Sequence, residues 1–275
     1  MSSFVLFHVI GYFVMMNGLL TVYLDQFYLF VFVLSRLSGL MMTAPILGAR
    51  SVPFRIRALL AVALALLITP LFWSLPIDRP LHVVALGIVL AQEIMLGLTL
   101  GLGVMILFMG LQVAGQMVAQ MSALSLADIF DPTFDSSMSV FSQLFEIVAL
   151  SCFLLIGGHR LVMSGLLETF RWISPGKISF THGVVDGLTE ITAQSFRLGI
   201  RAAAPTMVAL LMSILVLGLI SRTLPQLNIL AVGFSVNAVV LIGTLSLSLG
   251  SIVWMFQHDV GPTVQIVLNA FMANG

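Results

Sequence analysis

Inside the apolar runs of this chain stand Arg36, Glu93, Glu146, Arg197 and Arg201, and ionisable groups in such places either pass protons or ions along a relay or neutralise one another. No pair of them falls at relay spacing within one run, so neutralisation between helices or subunits is the expected role. An arginine at mid-membrane depth costs about 2.5–3.5 kcal/mol even on a lenient insertion scale, so the neighbours of Arg36 must be protein, water or a counter-charge. Metal chemistry is not indicated. His8, His82, His159, His182 and His258 are scattered at the ends of runs, and neither an H-E-x-x-H spacing nor paired cysteines occur. Gly157-Gly158-His159-Arg160 forms a turn, without the Lys-Ser/Thr that completes a phosphate-binding loop. With no catalytic constellation, neither an enzyme nor a cofactor is expected. The single Cys152 has no disulfide partner in the chain and suits a packed small hydrophobe.

A second group of residues suits contact rather than reaction. Gln112, Gln116 and Gln120 recur every four residues as a polar stripe, beside a small-residue face of Gly115, Ala119 and Ala123. The pairs Met105/Met109 and Met117/Met121, each one turn apart, flank it. Methionine is unbranched and adaptable, so it packs more often as ordinary core and less often as a seal around irregular cargo. Glu93, Gly97 and Gly101 share one helical face, where small residues allow two backbones to approach closely.

The elements that position these residues belong to a polytopic membrane protein. Hydrophobic residues make up 60% of the chain and charged residues 8%, against about 25% charged in soluble domains, and the mean hydropathy is +1.15. Net charge is zero, with no basic run to bind nucleic acid. Apolar segments are expected at Phe4–Leu24, Phe27–Leu47, Ala58–Leu75, Leu81–Met121, Met138–Ile156, Ile191–Ile220 and Ile229–Phe256, with an amphipathic tail from Pro262. The first 24 or so residues lack a basic leader and a small-residue cleavage site, so they are read as a retained helix, with Met15 or Met16 as alternative starts.

Leu81–Met121 would run about 61 Å as one helix, twice a ~30 Å hydrocarbon core, so it must fold back, break or extend beyond the bilayer. The charge rule places the Arg50/Arg55/Arg57 and Arg160/Arg171/Lys177 loops on the cytoplasmic side if this segment crosses an even number of times. The acidic loop around Asp128, Asp131 and Asp135 then faces the other side, with Arg222 an exception. Pro45, Pro53, Pro70, Pro205 and Pro225 favour kinks or stops, and suggest re-entrant hairpins.

Several stretches, taken together and in order, resemble one family, that of the flagellar biosynthesis protein FliR and its injectisome counterparts in the type III export gate. They are Arg36 with Ala44-Pro45-Ile46-Leu47-Gly48, Val52-Pro53 and Arg57; then Glu93, Gly97 and Gly101; then Ala114-Gly115-Gln116 leading to Asp131-Pro132. Gly157-Gly158-His159, Arg201 with Ala204-Pro205, and the most distinctive stretch, Ser221-Arg222-Thr223-Leu224-Pro225-Gln226-Leu227-Asn228-Ile229, complete the set. The resemblance covers roughly residues 27–256. It departs from the family at Ser235-Val236-Asn237, where a proline and a basic residue are frequent, and at Thr169-Phe170, where Ser-Phe is commoner.

The resemblance implies an all-α membrane protein of helical hairpins with broken helices. Residues 1–26 are an N-terminal extension, 27–187 a FliP-like part, and 188–275 a FliQ-like hairpin and tail fused to it. It implies a place in the bacterial inner membrane at the flagellar basal body, one copy joining several FliP-like and FliQ-like subunits in a pore, with an FlhB-like gate protein as neighbour and unfolded flagellar proteins as cargo. It implies a pore plug from about Gly110 to Leu126, with Gly110, Gln112, Gly115, Gln116, Met117, Gln120 and Met121 at the axis, and charges at subunit contacts in Arg36, Glu93, Arg197, Arg201 and Arg222. An injectisome gate subunit is the nearest alternative. A secondary transporter, favoured by intramembrane charge and broken helices, would need an internal repeat that is not evident.

Overall fold

In the structure, a computed structural model, the backbone is described at residues 2–45, 52–74, 82–122, 139–176, 178, 182–224, 226 and 229–272, and side chains from residue 23 onward except at 182, 229–231 and 272. The described residues form helices α1 (Ser2–Thr43), α2 (Phe54–Ile68), α3 (Val83–Met121), α4 (Val140–Leu155), α5 (Gly158–Trp172), α6 (His182–Thr223) and α7 (Ile229–Met272), with no strand among them. Five stretches are long and apolar enough to cross a membrane, and the bent α4–α5 pair makes up to six. The protein is an all-α membrane protein.

Several boundaries differ from those expected. The first two apolar segments are one helix, because Asp25-Gln26 between them carries no glycine or proline to stop it. The long segment neither folds back nor breaks. With 39 residues and no proline, α3 is a single helix of about 59 Å, which corrects the even-crossing topology, since one helix cannot cross an even number of times. Of the prolines expected at kinks or stops, Pro45, Pro53 and Pro70 stand at helix ends, Pro45 just past α1, and Pro205 does not. Pro53 stands immediately before α2 and Pro70 opens a short 3-10 turn, Thr69–Phe72, while α6 runs through Pro205 and α7 through Pro262. The sharp bend, 64° between α4 and α5, falls at a glycine. Gly157 has φ +73°, a left-handed conformation that residues with a Cβ avoid. Pro225 and the acidic loop at Asp128–Asp135 lie outside the described residues.

Contacts divide the chain into two units that do not follow chain order. One comprises Met1–Leu102, Ser164–Thr181 and Phe271–Gly275, the other Gly103–Met163 and His182–Ala270. In the first, Phe32, Leu37 and Leu40 of α1, Ala61 and Ala65 of α2, Leu96 and Leu100 of α3, and Leu166 of α5 form the core. Phe72 packs on Phe170 with ring centroids 5.2 Å apart. Helix α5 is amphipathic, burying Val162, Leu166, Thr169 and Phe170 while Arg160, Glu168 and Arg171 are exposed.

In the second unit Phe108 of α3 meets Phe153 at 5.5 Å and Phe256 at 5.2 Å, both edge-to-face, an arrangement that suits the ring quadrupoles. Helices α6 and α7 form an antiparallel hairpin. Ser213 donates to the Asn237 side-chain oxygen at 2.8 Å, a hydrogen bond between helices at a position 6% exposed.

Candidate functional site

Helices α1 and α3 cross at glycine. A Cβ on Gly97 would overlap the Arg36 carbonyl oxygen, and one on Gly39 would overlap the Ile94 carbonyl oxygen, so each helix backbone lies against the other. One turn further, Gly101 faces Thr43, whose hydroxyl donates to the Leu98 carbonyl at 3.1 Å. This crossing places the guanidinium of Arg36 beside the carboxylate of Glu93. Arg36 Nε donates to Glu93 Oε2 at 2.6 Å, and both side chains are 0% exposed.

Helix α5 and the turn after it complete the enclosure. Arg36 Nη1 donates to Thr169 Oγ1 at 2.8 Å, while Thr169 Oγ1 in turn donates to the Leu166 carbonyl at 2.6 Å. The Phe170 ring lies 3.9 Å under the guanidinium carbon, a cation–π contact in a desolvated setting. Glu93 Oε1 accepts from the Gly176 backbone N–H at 2.9 Å, in a turn where Gly176 has φ +87°. The two charges named as subunit contacts are therefore enclosed by this chain and satisfy each other, which leaves no surface of either for a partner. Arg36 Nη2 has no hydrogen-bond partner among the described residues. Among the described residues the arrangement is closed to solvent and holds α1, α3 and α5 together.

The residues expected at a pore axis divide into two sets. Gly110 and Gly115 face inward in the second unit. A Cβ on Gly110 would meet the backbone of Ser195, and one on Gly115 would lie 2.6 Å from Ser142 Cα. Ser195 donates to the Ile106 carbonyl at 2.6 Å, and Ser142 to the Gln112 carbonyl at 2.9 Å, tying α6 and α4 to α3 at these same glycines. Ser139 caps α4, its hydroxyl accepting from Ser142 N–H. Ser142 also donates to Gln116 Oε1 at 3.4 Å, so Gln116 stands at the edge of the α3–α4 contact. Gln116 and Gln120 are exposed, and Gln112, Met117 and Met121 are half-buried. Both glycines therefore serve close packing, while Gln116 and Gln120 are presented outward.

Arg197 and Arg201 are exposed on one face of α6 and line a cleft with α7, while Arg222 is exposed near the end of α6. Glu146 on α4 is half-buried. No group of His, Cys, Asp and Glu able to hold a metal ion occurs among the described residues.

The sequence comparisons bear on this geometry. A family model described as bacterial export proteins, family 1, matches residues 27–262. The flagellar biosynthetic protein FliR of Escherichia coli (strain K12) is 31% identical over 231 residues, 84% of this chain and 87% of that protein. FliR of Pectobacterium carotovorum subsp. carotovorum is 32% identical over 224 residues, 81% and 85% of the two chains. FliR of Bacillus subtilis (strain 168) is 28% identical over 224 residues, 79% and 84%.

The chain belongs to the FliR family of bacterial export proteins.

The match begins at residue 27, so the FliR-family region contains both the Arg36–Glu93 pair and the glutamine–methionine face. Sequence reasoning missed Gly39, Thr169 and Gly176 as parts of the buried pair. Thr169 supplies the hydroxyl that accepts from Arg36 Nη1, a role its place in the sequence did not announce. Gly176 contributes only a backbone N–H, which no side-chain pattern announces.

Proposed function

We propose that this chain is a subunit of the flagellar type III protein export gate, forming a pore with FliP-like and FliQ-like subunits, beside an FlhB-like gate protein, through which unfolded flagellar proteins cross the bacterial inner membrane. The observation that carries this reading is the family match across residues 27–262, together with relatives named as flagellar biosynthetic proteins. Two features support it. The end of α3 presents Gln116 and Gln120 flanked by Met117 and Met121, uncharged and adaptable groups suited to contact with an extended polypeptide of varied sequence. Helix α6 exposes Val208, Leu211, Met212, Leu215 and Leu219, an apolar surface of the kind that subunits cover in an assembly. Arg222, exposed beyond this surface, is available to a partner's carboxylate.

Co-expression of the tagged chain with its neighbouring membrane genes, followed by mass measurement in mild detergent, tests the assembly. The expected result is a discrete hetero-oligomer containing one copy of this chain; a stable monomer or homodimer alone would contradict it.

A further inference from the structure

The α6–α7 hairpin encloses a cleft of about 480 Å³, with Arg197 and Arg201 on one wall and His258 and Asp259 on the other. Its depth follows from the sequence of the two helices. Beyond the cleft, the uncharged stretch 202–220 of α6 spans about 28 Å and the stretch 232–253 of α7 about 33 Å, each close to a ~30 Å hydrocarbon core. Register agrees, since Ser213 bonds Asn237 and Leu217 lies against Gly233, so the two stretches run side by side. Arg201 and Arg222 bracket the stretch on α6, and Trp254 ends the one on α7, as interfacial anchors do. Trp254 is 60% exposed and stacks on His258 at 4.3 Å. The cleft therefore lies at the level of lipid headgroups.

Its charges are unspent. Arg197 and Arg201, one turn apart, make no ion pair among the described residues, and neither do Glu190 and Asp259, which also line the cleft. Two guanidiniums and two carboxylates around one opening, with Leu198 and Met255 as an apolar floor, fit a ligand carrying both signs of charge and an apolar tail. We propose that this cleft binds the headgroup of a zwitterionic phospholipid of the phosphatidylethanolamine class. Phosphodiester oxygens accept from Arg197 and Arg201, and the ammonium donates to Glu190 and Asp259; charged partners on both sides make these the stronger kind of hydrogen bond. The acyl chains start along α6 at Ile200, which is 55% exposed beside the cleft.

Native mass spectrometry of the full chain in mild detergent, titrated separately with phosphatidylethanolamine, phosphatidylglycerol and inorganic phosphate, tests this. The proposal expects one tightly held phosphatidylethanolamine, at least tenfold weaker retention in Arg197→Gln/Arg201→Gln, and no change in Arg171→Gln, which is exposed on α5 and does not line the cleft. It expects Glu190→Gln/Asp259→Asn to keep phosphatidylglycerol binding while losing the preference for phosphatidylethanolamine. Equal lipid retention in the arginine double variant would overturn it, as would binding of inorganic phosphate with no preference for lipid. Cross-links from residues 197 or 201 to another subunit in a lipid-free co-expressed complex would also overturn it, by making the cleft a subunit contact.

Discussion

Replacing Glu93 by Gln is expected to destabilise the purified chain by roughly 3–5 kcal/mol, the usual cost of removing one partner from a buried ion pair. The reason lies in what remains. Arg36 would keep its charge at 0% exposure, with only the Thr169 hydroxyl and the Phe170 ring to receive it. The amide oxygen of the substituted side chain could still accept from Gly176 N–H, so the loss is specific to the guanidinium. The double variant Arg36→Met/Glu93→Met removes both charges together with their desolvation cost, and should recover much of the stability. Thermal inactivation half-life in detergent reads this order, since unfolding of such a protein is commonly irreversible. If Glu93→Gln were as durable as the unaltered chain, the pair would contribute nothing, and the enclosure would be incidental.

Gly97→Leu is expected to act through backbone rather than charge. The first atom of any side chain at 97 would overlap the Arg36 carbonyl, so α1 and α3 must part before a rotamer is even chosen. Overpacking of side chains alone costs about 1–3 kcal/mol, and here no flexible side chain can yield, so the effect should reach at least the upper end of that range. Parting the helices also lengthens the contact between Arg36 and Glu93, so Gly97→Leu and Glu93→Gln should be less than additive. The control lies on the same helix. A Cβ at Gly87 meets nothing within 4 Å, and Gly87→Ala should be neutral or stabilise by about 0.5–1 kcal/mol through helix propensity. Equal half-lives for Gly97→Leu and Gly87→Ala would refute the crossing.

The family match and the crossing help to show what sequence could reveal. Composition sufficed for a polytopic membrane protein, because a chain with 8% charged residues lies far from soluble domains, and the all-α fold came from the family resemblance. The spacing of Glu93, Gly97 and Gly101 announced a close helix contact, but its partner, Gly39, was invisible, since periodicity within one helix says nothing about which helix it meets. Pro53 and Pro70 marked helix ends, and the turn read at Gly157 is the bend between α4 and α5, its left-handed backbone set by that turn. Pro205 is instead carried inside α6, where the sequence suggested a kink or a stop. Gly115 and Gln116 are adjacent, yet only one faces outward, because neighbours on a helix point about 100° apart.

The exposed end of α3 is where the account is most open to test. Photo-cross-linking groups placed singly at residues 116 and 120, in cells exporting a flagellar protein fused to a domain that cannot unfold, report directly on contact with cargo. The account predicts adducts between each position and the stalled protein, and none from residue 219 on the exposed flank of α6. Adducts from 219 but not from 116 or 120, or no adduct from any position while export is demonstrably arrested, would contradict a role for this chain in lining the path of exported protein.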